Sequence, residues 1–131
     1  MTHDALVAWR QEYASGYEQH GPAFLPPVDG LPDEHWDVPD RIGCLGRVLG
    51  ADPVARAIAV QAYPSATEAQ ARSVHDATYV SRPAKSGLAG VDPEEARIVG
   101  LRALGGVIGT IQDILDGRAR RGYALIRPAG H

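Results

Sequence analysis

Residues 92–126 read DPEEARIVGLRALGGVIGTIQDILDGRARRGYALI, a long helix that hands over to a strand. Asp92-Pro93-Glu94-Glu95 is a helix start. An Asp side chain accepts hydrogen bonds from the orphan N–H groups of the first turn, Pro suits the first helical position, and two acids complement the dipole. Ile98, Leu101, Leu104, Ile108, Ile111 and Leu115 then recur at helical spacing and predict the buried face. Gly117 ends the helix. Gly100, Gly105, Gly106 and Gly109 lie inside it, each costing about 1 kcal/mol relative to Ala, so close approach to another backbone is expected. YALI, residues 123–126, is apolar on both faces, as in a parallel strand covered by helices on both sides.

Upstream, ALVAW (5–9) predicts a first strand and AIAVQAY (57–63) a second, with Ile58 and Val60 on one side. Asp40–Gly50 reads as a short helix with Ile42, Leu45, Val48 and Leu49 on one face, and Cys44 as a small buried apolar residue within it. Thr67 and Gln70 make a capping box that opens a helix through about His75, with another turn of helix near Ala77–Ser81. Residues 10–36 form a Pro-rich stretch whose aromatic residues argue for an ordered surface loop. Strand, helix, strand, helices, strand is the order of an α/β fold with an open parallel sheet and helices on both faces. Three such strands would leave a sheet edge exposed.

The chain of 131 residues suits one domain, 44% hydrophobic and 22% charged, with a formal net charge of −3. Lys and Arg are outnumbered 13 to 16, so there is no electrostatic footprint for nucleic acid. The one basic cluster, Arg118, Arg120 and Arg121, is expected at a helix C-terminus, where the dipole favours it. Cys44 is the single cysteine, the N-terminus lacks a signal-peptide pattern, and no apolar run approaches the roughly 20 residues of a membrane span. The expectation is a soluble, cytoplasmic chain.

Catalytic patterns are sparse. Five histidines, at 3, 20, 35, 75 and 131, show neither H-x-H nor H-x-x-x-H spacing, and no nucleophile turn or phosphate loop is present. His75, near a helix C-terminus, reads as a capping or core histidine. The end RPAGH follows a strand, where open α/β sheets bind ligands. Pro128 stiffens the exit, Gly130 admits close approach, and His131 exchanges a proton near neutral pH. A terminal tail that ends on His is the alternative.

YALIRPAGH, preceded by LGGVIGTIQDILDG, resembles the zinc-dependent histone deacetylase family, in its class II-like branch with the acetylpolyamine amidohydrolases. Members read as a Gly-Gly-containing long helix ending in Asp-Gly, a short spacer, then YALVRPPGHHA. Gly105-Gly106, Asp116-Gly117 and Tyr123 through His131 supply these features. ATEAQARSVHDATYV is similar to the family's ATEEELLRVHTPDYI segment, and LVAWRQEY with its Pro-rich loop to the first strand and long first loop. The resemblance covers nearly all of residues 1–131 and implies the N-terminal portion of an arginase/deacetylase-like α/β domain, incomplete at its C-terminus.

The resemblance implies hydrolysis of an acetylated amine, acetyl-lysine or acetylpolyamine. In the family, zinc polarises the carbonyl and activates a water while paired histidines shuttle protons. His131 matches the first of that pair. Asp92 falls near an acidic residue that grips substrate, beside its capping role. Tyr17, Glu18 and His20 fall at a tunnel mouth, where Glu18 would attract a cationic amine. Departures are Pro128-Ala129 for two prolines and SGYEQHG where the family has WHDTG. The zinc-binding Asp, His and Asp and the oxyanion-stabilising Tyr or His lie downstream in relatives. Zinc is therefore expected in the complete enzyme and not in this chain alone. Its partners would be the C-terminal remainder or a complementary chain, within a homo-oligomer that binds neither nucleic acid nor membrane. A second reading is a non-catalytic module that self-associates through its open sheet edge. A third is a small ligand-binding domain that uses the Tyr-rich loop.

Overall fold

The computed structural model describes residues 3–14, 39–51, 54–81 and 93–127. The elements are β1 (His3–Ala8), a 3-10 turn (Gln11–Ala14), α1 (Pro39–Leu49), α2 (Val54–Ala57), β2 (Ala59–Gln61), α3 (Glu68–Arg72), α4 (Ala77–Ser81), α5 (Pro93–Leu115) and β3 (Ala119–Ala124). The strands form one parallel sheet in the order β2-β1-β3. Leu6 pairs with Ala59 and Gly122, and Val7 with Val60 and Tyr123.

Alternation along the strands gives the sheet two faces. Leu6 and Gly122 turn towards α5, where Thr110 and Ile114 occupy the space above Gly122. Val7 faces the other way and packs with Trp9, Leu49 and the buried cluster Tyr13, Ile42 and Leu125 beneath α1. The expected α/β architecture, an open parallel sheet with helices on both faces, is the observed one.

Helix α5 departs from its expected face. Its buried stripe is Ala96, Val99, Ala103, Thr110 and Asp113, joined by Gly105 and Gly106, while Ile98, Ile111 (52% exposed) and Leu115 (75%) lie outside it. Small residues win that face because they let the helix backbone approach its neighbours, and bulky side chains are pushed to the flanks. Three of the four interior glycines are used in this way. A Cβ on Gly105 would collide with the Pro64 carbonyl and the Ala66 nitrogen, one on Gly109 with the Tyr63 ring, and one on Gly106 would come 2.6 Å from the Tyr13 hydroxyl. Gly100 has nothing within 4 Å. Gly117 takes φ +73° and turns the chain out of α5.

By length and mean composition Glu94–Leu115 also has the makings of a membrane span, contrary to expectation. Its small-residue face is buried on the sheet, and Arg97, Arg102 and Asp113 interrupt it.

Other corrections follow from packing. β3 begins at Ala119, so Arg120 and Arg121 belong to the strand, not to a helix end, and both face Asp4, with Arg121 at 2.6 Å. Arg118 does sit just past α5, paired with Asp113 at 2.8 Å and with Asp116. Tyr123 is 64% exposed, so YALI is not covered on both faces. In α1, Gly46 receives the Trp9 ring, so Ile42 and Leu49 face the core while Leu45 and Val48 are exposed. Cys44 is exposed, with Arg47 donating to its Sγ. The Thr67–Gln70 capping box is present, but α3 ends at Arg72, before His75, which is exposed beside Tyr79.

Candidate functional site at the carboxyl edge of the sheet

The three strands run parallel, so their carboxyl ends converge: Trp9 and Arg10 after β1, Ala62 and Tyr63 after β2, Leu125 to Arg127 after β3. An open α/β sheet binds ligands at this edge. Arg127, only 1% exposed, and Tyr13 are the largest fully buried side chains among the described residues. A guanidinium is seldom buried to this extent, and Arg127 is the first residue of the RPAGH stretch.

Tyr13, also 1% exposed, lies across the end of the sheet with its ring edge-on to Trp9 at 6.4 Å. Its hydroxyl has no hydrogen-bond partner among the described residues. Burial raises the phenol pKa, so at neutral pH the group is a neutral hydrogen-bond donor. The Tyr13 hydroxyl is accommodated because position 106 carries no side chain.

Beside it, Arg10 ties two segments together. Its Nη1 donates to the Tyr63 carbonyl at 2.9 Å, while Nε and Nη2 donate to the Glu12 carboxylate at 3.1 and 2.9 Å. This charge-assisted fork, with a backbone hydrogen bond, lowers the Glu12 pKa to about 2. Arg102 of α5 donates to the Glu12 carbonyl at 2.8 Å, which fixes the turn after β1 to the long helix.

Further out, between β2 and α5, a cleft of about 710 Å³ is lined by Gln61, Tyr63, Gln70, Gln112, Asp113 and Arg118 among others. The Tyr63 hydroxyl donates to Asp113 at 2.5 Å, and Arg118 pairs with the same carboxylate. Burial, then the bond to Asp113, raises the Tyr63 pKa. The polar groups of this relay satisfy one another and seat the β2–α3 connection on the Gly105–Gly109 groove, where Ala66 N–H also donates to the Leu101 carbonyl at 2.8 Å.

The residues singled out from the sequence, His131, Asp92, Tyr17, Glu18 and His20, lie outside the described residues. Reading the sequence missed Tyr13, Arg10 and Arg127 as the polar groups at the strand ends. The available signal was an Arg directly after each of the apolar runs LVAW and YALI. The described residues do not fit a zinc site, since no three His, Cys, Asp or Glu gather to hold a metal. What they can do is position: they fix the strand ends and the backbone leading to the RPAGH segment.

No family model matches the sequence, and no curated protein matches it. Among solved structures, the crystal structure of the HDA15 HD domain is similar, with a TM-score of 0.71 and 21% identity over 100% of this chain. This chain spans 37% of the length of that one. The likeness establishes a shared fold: the α/β arrangement of β1 to β3 is one that the HDA15 HD domain also contains.

Proposed function

We propose that this chain is the amino-terminal part of a zinc-dependent deacetylase domain that hydrolyses the amide of an acetylated amine, acetyl-lysine or an acetylpolyamine. The observation that carries the reading is the delivery of Arg127, the first residue of RPAGH, to the carboxyl edge of the sheet. The fold likeness to a histone deacetylase domain agrees with it. In this reading His131 exchanges a proton with substrate, while Asp92, Tyr17, Glu18 and His20 bind it. The zinc ligands come from a C-terminal remainder or a complementary chain, and the complete enzyme is a cytoplasmic homo-oligomer.

The test is turnover of an acetylated-lysine peptide and an acetylated polyamine with zinc added. The pure 131-residue chain is expected to be inactive. Adding a polypeptide that carries the zinc-ligand region of a family member should restore hydrolysis, and His131→Ala should abolish the restored rate. Robust hydrolysis by the chain alone, or none in the mixture, would overturn the proposal.

A further inference from the structure

We draw no further inference here: the strongest candidate, the cleft between β2 and α5, carries nothing because its Tyr63, Asp113 and Arg118 side chains bond to one another and, among the described residues, no unpartnered buried polar group lines it to mark a ligand.

Discussion

Gly105 and Gly100 stand five residues apart on α5 and answer to opposite forces. Gly105 admits the backbone of residues 64–66, and Gly109 admits the Tyr63 ring. Gly100→Ala, with open space around it, should stabilise the chain by about 0.5–1 kcal/mol through helix propensity. Gly105→Ala meets backbone, which cannot give way as a flexible side chain can, and should cost about 3 kcal/mol or more. Thermal unfolding of the two variants checks the contrast; equal effects would mean that α5 is not seated on the β2–α3 connection. Charge is tuned at the same scale. The Arg10 fork depresses the Glu12 carboxyl from 4.5 to about 2. A depressed pKa adds stability that is present above the unfolded value and is lost as pH falls through the folded one. The Arg10–Glu12 clip should therefore persist at pH 5 and fail between about 4.5 and 2. An NMR titration of the Glu12 carboxyl should show a midpoint near 2, and Arg10→Gln should return it towards 4.5.

Elements form here by a balance of local signal and tertiary demand. α3 is only five residues long, Glu68–Arg72, too short to hold itself by propensity. Its N-terminus is secured by Thr67 accepting from Gln70 N–H at 3.2 Å while the Gln70 side chain accepts from Thr67 N–H at 2.8 Å. Arg97 of α5 reaches across to Glu68 at 3.0 Å. Thr67→Ala should cost about 1 kcal/mol and lower the Tm by about 4 °C; no change in a calorimetric scan would show that packing alone holds α3. α5 shows the opposite balance. Its start at Pro93 and its exit at Gly117 were legible in the sequence, but its buried face was not. Hydrophobic periodicity ranks residues by apolarity, and contact with backbone selects them by size.

At the scale of the whole molecule, parallel pairing gathers the three strand ends at one edge and leaves the outer side of β3 without a neighbour among the described residues. At the carboxyl edge, Arg10 and Arg102 hold the turn after β1 beside the buried Tyr13 and Arg127, and among the described residues no metal ligand set gathers there.

By itself, the sequence determined the α/β class, the strand and helix order, the α3 capping box and the end of α5 at Gly117. These are short-range matters, set by alternation, caps and backbone freedom within a few residues. Tertiary structure alone decided which face of α5 is buried, where β3 begins, that Cys44 is exposed, and that Arg127 and Tyr13 are buried at the strand ends. Each of those depends on how closely two distant backbones approach. That distance is set by the residues on both sides of a contact, and no single segment contains it.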